Sequence, residues 1–379
     1  MNKRPNVLLI LTDQMRRDSL GCHGGPAVTP NLDALAKEGV SFRNAYCVYP
    51  MCTPARAALL TGRFPHALRM EGGDSPYYEN NQLLDTGEVT YAKELQKAGG
   101  DRCAYIGKWH NDCQDGGKVV PRGPRRQGFD HFWRGVETGA SHVSPEYFDD
   151  ENRPLSFEGA WDPDVQAGMA CDFLSRQDGE ASPFCLVVSI SPPHDPWDLP
   201  GGRSSLLAEA SSRIGPASLR PNVPTRLQDQ ALEDYVRYHA NILGVDDCVG
   251  RILEALRKTG HETDTIVLFT SDHGDSLHSH GLRQKNQFHE EASAVPLILR
   301  WPKGGTGGAL LWLRSKSPVK KTGIYGVEEI LKPVQNVCAL PVSGDPFYLE
   351  AENGDKISMA QGNGLISVDT DLEVWRDGP

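Results

Sequence analysis

The longest candidate for a membrane span in this chain is far too short to be one. The apolar run Val7 to Leu11 follows Lys3 and Arg4 but closes after five residues at Thr12-Asp13, whereas a span needs about 20 and a secretion-signal core about 7 to 15. It reads as a buried strand over Asn6–Thr12, with no membrane partner expected. A cytoplasmic location follows, or a periplasmic or secreted one if the true start lies upstream. Positive charge is also in deficit: 39 Lys and Arg face 50 Asp and Glu, for a net charge of −11. That balance excludes a general binder of nucleic acid, so attraction for an anionic ligand must come from local cations or a metal. The nine cysteines lack the short regular spacings of a zinc site or a disulfide framework, which points to a reducing compartment. No internal repeat is visible.

What is present is the rhythm of an α/β domain. With 379 residues, 39% of them hydrophobic, the chain can bury a substantial core. Short β-branched or leucine-rich runs alternate with amphipathic stretches, predicting a largely parallel central sheet with helices on both faces. The expected strands are Asn6–Thr12, Cys103–Ile106, Phe184–Ile190, Thr265–Thr270 and Pro296–Arg300. Helices are expected from a Thr29-Pro30 cap through Lys37, over Val89–Ala98, and over Gln228–Lys258 as one or two segments. In the last, Leu232, Tyr235, Val236, His239, Leu243, Val249, Ile252, Leu253 and Leu256 recur at helical spacing and read as core. Asp112–Arg126 and Pro192 to about Pro224 read as loops.

Open α/β sheets gather ligands outside the carboxyl ends of their strands. Polar residues directly after the apolar runs are therefore the candidates for a site. Asp13 and Gln14 follow the first run, Lys108 and His110 the second, His194 the third, and Asp272 and His273 the fourth. Each alone is weak, because an Asp after a strand is often a helix cap and a lone His is more often satisfied than ligating. The cluster Arg122, Arg125 and Arg126 could face an acidic sugar, although such charge runs are usually solvated.

The most specific segment is Cys52 to Arg63, CTPARAALLTGR. Pro54 suits a first helical turn, so position 52 is expected at a helix N-terminus, where backbone N–H groups favour an anion. A buried structural thiol would leave the surrounding residues without a reason.

This segment resembles the maturation signature of the type I sulfatases, of the alkaline phosphatase superfamily, in which a Cys-x-Pro-x-Arg core and a Leu-x-Thr-Gly-Arg tail direct oxidation of the cysteine to formylglycine. Cys52, Pro54, Arg56, Leu60, Thr61, Gly62 and Arg63 all match. The strand-end residues match the family in order and context, as does the late block with His280-Gly281-Leu282, Lys285 and a strand ending in Arg-Trp-Pro. The resemblance runs from about Arg4 to Pro302. It implies an alkaline phosphatase-like α/β catalytic domain over residues 1–302 and hydrolysis of carbohydrate or aryl sulfate esters. It further implies a formylglycine at Cys52, made by a formylglycine-generating maturation enzyme.

By the same resemblance, Asp13, Gln14, Asp272 and His273 hold one divalent metal. Calcium is expected, with manganese or magnesium as alternatives because Gln14 stands where many relatives have a second Asp. One hydroxyl of the aldehyde hydrate attacks sulfur, and the other expels sulfate by reforming the aldehyde. Arg56 and Lys108 would hold the hydrate's oxygens, and His110 would take the second hydroxyl's proton. His194 and Lys285 would grip the sulfate and assist the leaving oxygen. His278, His280 and His289 receive no role.

Beyond Pro302 the resemblance fades. Residues 303–379 hold Gly304–Gly308, a basic patch from Arg314 to Lys321, and an alternation at Ile366, Val368, Thr370, Leu372 and Val374. A divergent closing subdomain and a truncated or frameshifted product both fit this. Two further functions stay open: a phosphodiesterase or phosphonate monoester hydrolase on the same fold, and an inactive sulfatase-like protein.

Overall fold

The computed structural model describes residues 4–70, 83–112, 117–138, 141–177 and 182–302, together with the backbone of three short strands near the C-terminus. The strands are β1 (Asn6–Asp13), β2 (Val40–Ser41), β3 (Arg102–Lys108), β4 (Phe132–Val136), β5 (Glu146–Phe148), β6 (Pro154–Ser156), β7 (Phe184–Pro193), β8 (Thr265–Ser271) and β9 (Leu297–Arg300). They form one sheet in the order β2-β9-β8-β1-β7-β3-β4-β5-β6. The five central strands, β8 to β4, run parallel. Both flanks are antiparallel, so β9, at the expected position, turns back against β8 instead of extending the parallel set.

Why these runs make central strands is visible in β1. Leu8 and Ile10 belong to one buried cluster and Val7 and Leu9 to another, because successive side chains point to opposite faces and both faces are covered. The helices are α1 (Pro30–Glu38), α2 (Cys52–Thr61), α3 (Tyr91–Gly99), α4 (Asp162–Ser175), α5 (Ser204–Arg213), α6 (Gln228–Lys258) and α7 (Glu290–Ser293). Residues of α1, α4, α5 and α6 build the first cluster. Residues of α2 and α3 build the second.

Several expectations shift by local chemistry. Helix α3 starts at Tyr91, not Val89, because the Thr90 side chain accepts from Lys93 N at 3.4 Å and so fixes the cap there; Val89 is left exposed. Thr29 stands at the N-cap of α1, yet its side chain bonds Asp33 and leaves the helix N–H groups alone. Asp246, buried within α6, caps the helix instead by accepting from Asn31 N and Leu32 N. Helix α6 is a single 31-residue element. The stretch Pro192–Pro224, read as a loop, contains α5; the pattern of Leu206 and Ala210 facing the core is too brief to stand out beside its serines.

One glycine is required by geometry. Gly107 in β3 has φ +103°, and a Cβ there would lie 2.0 Å from the Ser189 carbonyl oxygen of β7. The closeness of these strands at their carboxyl ends sets the position of Lys108, the next residue.

The described backbone near the C-terminus forms a separate antiparallel sheet of β10 (Phe347–Glu350), β11 (Lys356–Met359) and β12 (Ile366–Val368). A strand, β12, stands where the alternation from Ile366 begins; its continuation, the glycine run and the basic patch lie outside the described residues. The seven described cysteines are free thiols. Among the described residues, no helix is long and apolar enough to cross a membrane.

Candidate active site

Four neighbouring parallel strands end at one place. Asp13 is the last residue of β1, Lys108 the last of β3, His194 follows β7, and Asp272 and His273 follow β8. Helix α2 presents Cys52 from its first position and Arg56 one turn later. The segment between β8 and α7 brings Lys285 to the same place. Six backbone positions in that segment, Leu277, His278, His280, Gly281, Gln284 and Asn286, have positive φ. For the five that are not glycine this costs about 1 to 2 kcal/mol each, so placing Lys285 here is bought by strain that the surrounding contacts must hold.

The ligand atoms of Asp13, Cys52, Asp272 and His273 all lie within 4.8 Å of one another, fully buried. Cys52 Sγ is 3.2 Å from His273 Nε2 and 3.5 Å from Asp13 Oδ1. Two ammonium groups converge on the same sulfur: Lys285 Nζ at 3.0 Å and Lys108 Nζ at 3.6 Å. Lys108 also donates to Asp13 Oδ2 at 2.7 Å.

Arg56 takes partners that the motif alone does not reveal. Its Nε donates to Asp272 Oδ2 at 2.9 Å and its Nη2 to Asp13 Oδ2 at 3.1 Å, while Nη1 donates to the Lys108 carbonyl and to Ser189 Oγ. In this geometry Arg56 ties the two carboxylates together and fixes the end of β3. None of these four hydrogen bonds goes to position 52.

The charges explain one another. Burial and the Cys52 thiolate push the Asp13 carboxyl up, but Lys108, His194 and Arg56 outweigh them and hold it well below the usual carboxylate range. Asp272 is displaced the other way, by burial and by repulsion from Asp13, with His273 and Arg56 opposing. Burial pushes the Cys52 thiol up, yet Lys108, Lys285, His273 and a hydrogen bond from His110 bring it well below its ordinary value. The site therefore stabilises negative charge at position 52, and that field would act equally on an oxygen there.

These residues fit a hard divalent cation. Two buried carboxylates crowd together, and the Gln14 side-chain oxygen is buried with no hydrogen-bond partner while its Nε2 is held by Asp275 Oδ2 at 2.5 Å. A buried acceptor left unpaired costs free energy unless something positive meets it. With His273 Nε2 the donor set is oxygen-rich with one imidazole.

His194 Nε2 lies 2.8 Å from Lys285 Nζ. His110 follows β3 by two residues, its backbone N–H bonded to the Glu137 carbonyl at 2.9 Å. The ten residues expected to carry catalysis and metal binding thus come from the carboxyl ends of four neighbouring strands, the start of α2 and the segment before α7. Others there carried too little signal. Ser189 is one more polar residue in an apolar strand, and Asp195 and Gln284 sit in irregular segments. His142 is buried, with Nδ1 lacking a hydrogen-bond partner; burial, His194 and Lys108 push it down to about 4. The arginine cluster divides: Arg122 pairs with Glu151 at the surface, Arg125 pairs with Asp112, and Arg126 lies buried over the Trp133 ring.

A parallel sheet whose strand ends gather carboxylates, a buried cysteine and several cations has the arrangement of the alkaline phosphatase-like α/β class. The sulfatase family model matches residues 5–320, and the chain belongs to that family, the type I sulfatases of the alkaline phosphatase superfamily. It is 36% identical over 302 residues to an ulvan-active sulfatase of Formosa agariphila, covering 79% of this chain and 56% of the relative. An N-acetylglucosamine-6-O-sulfatase of Bacteroides thetaiotaomicron is 27% identical over 384 residues, covering 81% and 64%. The chain thus spans between about half and two thirds of the length of these relatives. Among solved structures, a yidJ sulfatase of Bacteroides fragilis superposes with a TM-score of 0.72 at 27% identity, covering 94% of this chain and 84% of that one.

Proposed function

We propose that this protein hydrolyses the sulfate esters of a saccharide, using a formylglycine derived from Cys52 and one divalent metal. The observation that carries this reading is the meeting of Asp13, Cys52, Asp272 and His273 beneath two lysines that both reach the Cys52 sulfur. In the thiol form, Sγ marks the place of the hydrate's oxygens. The hydrate supplies two hydroxyls on one carbon, so sulfate taken up through one can be released by collapse through the other.

Asp13, Gln14, Asp272 and His273 would hold the cation, which we assign as calcium, with manganese and magnesium as the ions to compare. When bound, it withdraws charge from the sulfate and favours the ionised nucleophile. Arg56 keeps the two carboxylates in place. Lys108 and Lys285 stabilise negative charge at position 52, and His110, which hydrogen-bonds that position, accepts the proton of the releasing hydroxyl. His194 and Lys285 face the departing oxygen. A saccharide as the alcohol is supported by relatives named for ulvan and for N-acetylglucosamine.

Cys52 is 0% exposed. A maturation enzyme acting on its thiol must therefore reach it before the domain closes, so folded thiol-form protein should resist conversion. The test is expression with and without a formylglycine-generating enzyme, with the mass of the Cys52 peptide and turnover of matched aryl sulfate and aryl phosphonate esters as readouts. Conversion accompanied by preferential sulfate hydrolysis is expected. A retained thiol under competent maturation overturns the reading, and preferential phosphonate turnover replaces it with the phosphonate monoester hydrolase alternative.

A further inference from the structure

We propose that Asp195 is a positioning residue that lets His194, in concert with Lys285, deliver a proton to the departing alcohol oxygen. This rests on the sulfate-ester reading above and concerns only its leaving-group side.

The hydrogen-bond directions around His194 are constrained. Lys285 Nζ, a donor, lies 2.8 Å from His194 Nε2, so Nε2 accepts in the resting state and the ring proton sits on Nδ1. Nδ1 then donates to the Asp195 carbonyl oxygen at 2.5 Å. Asp195 Oδ1 stands 3.4 Å from the same nitrogen. The backbone carbonyl suffices to set the tautomer. What the carboxylate adds is negative charge, opposite the Lys285 ammonium that faces the ring's other nitrogen.

That placement matters when the proton shared along the Lys285–His194 contact moves. As the S–O bond to the alcohol breaks, its electron pair stays on the alcohol oxygen and a new S–O bond forms to the nucleophile at position 52. The shared proton passes to the alcohol oxygen, which leaves neutral, and solvent later restores the proton to the Lys285–His194 pair. Whenever the proton resides on the imidazole, the ring is cationic beside a lysine. The Asp195 carboxylate offsets that charge, as the carboxylate of a hydrolytic triad does for its imidazolium.

Asp195 is itself held from two directions. Oδ2 accepts from Gln284 Nε2 at 3.2 Å and Oδ1 from Gln14 Nε2 at 3.5 Å. Gln284 N donates to Asp275 Oδ1 at 3.1 Å, and Gln14 Nε2 to Asp275 Oδ2. Asp195 therefore links the turn bearing His194 to the residue before Lys285, and both to the proposed metal ligand Gln14. A carboxylate that served only to shape its own turn would not require partners on two other segments.

The test uses matured protein and kcat/KM for aryl sulfates of graded leaving-group basicity, because proton donation matters most for the poorest leaving groups. Asp195→Asn should lose about tenfold or more on phenyl sulfate and less than about threefold on 4-nitrophenyl sulfate. Gln284→Ala, at an exposed position, should show a smaller loss with the same leaving-group dependence. In a His194→Ala background, Asp195→Asn should add nothing to that dependence. Equal losses across leaving groups, or full additivity with His194→Ala, overturn the proposal. Wild-type protein inert toward every sulfate ester would instead overturn the reading on which it rests.

Discussion

Lys285 Nζ lies 3.0 Å from Cys52 Sγ although 233 residues separate them in the chain. The same ammonium touches His194 Nε2, so one lysine joins the nucleophile position to the leaving-group side. Burial pushes Lys285 down, but the charges of Cys52 and Asp13 outweigh it and raise the group above its ordinary value. In the thiol form the ammonium is thus held charged beside position 52. Lys285→Ala should therefore lower kcat/KM toward aryl sulfates by about a hundredfold or more. An unchanged circular dichroism spectrum alongside that loss would assign it to the site; a loss below tenfold would remove Lys285 from the machinery.

Metal uptake should release a proton. In the metal-free thiol form, burial pushes His273 down, but Asp272 and Cys52 outweigh it and leave the imidazole at about 9. A ligand nitrogen must be neutral, so affinity should rise about tenfold per pH unit below that value and level off above it. Calorimetry of calcium or manganese binding at pH 7, in buffers of different ionisation enthalpy, should report one proton released. A buffer-independent enthalpy would mean that His273 does not ligate.

Asp162, at the start of α4, bears on stability. Burial raises its carboxyl from 3.8 to about 7, with a hydrogen bond from Ser191 opposing. Between about 4 and 7 the folded state holds a proton that the unfolded chain has lost, so its contribution to stability falls as pH rises through that window and is flat above. Asp162→Asn removes this dependence. Urea unfolding of both proteins should show the variant gaining on wild type from pH 4 to pH 7, by at most about 4 kcal/mol. A constant difference across the window would refute the assignment.

Gly107→Ala should destabilise the domain by about 2 to 4 kcal/mol, since a Cβ there meets a backbone oxygen of the adjacent strand and the left-handed conformation disfavours it. The midpoint of denaturant unfolding reads this directly. Because Lys108 follows, activity should fall further than the unfolded fraction explains.

Much of the fold could be read from the chain because the central strands are buried on both faces and announce themselves as continuous apolar runs. Runs such as Val7–Leu11 and Ile266–Thr270 need no partner to be recognised. Short strands at the edges, Glu146–Phe148 and Pro154–Ser156, pair through only a few residues and leave no comparable pattern. The reversed direction of Leu297–Arg300 is likewise a property of the connection, not of the strand's own residues.

The site divides along the same line. Local spacing fixed the identity of the Cys52 motif and the polar residues after each strand, because a strand's end and a helix's first turn are short-range features. The partners of Arg56, the convergence of two lysines on one sulfur, and the clasp of Asp195 by Gln14 and Gln284 arise only when separate strand ends meet. Such contacts depend on how parallel strands are ordered and how close their backbones come. Neither quantity is encoded by any single stretch of residues.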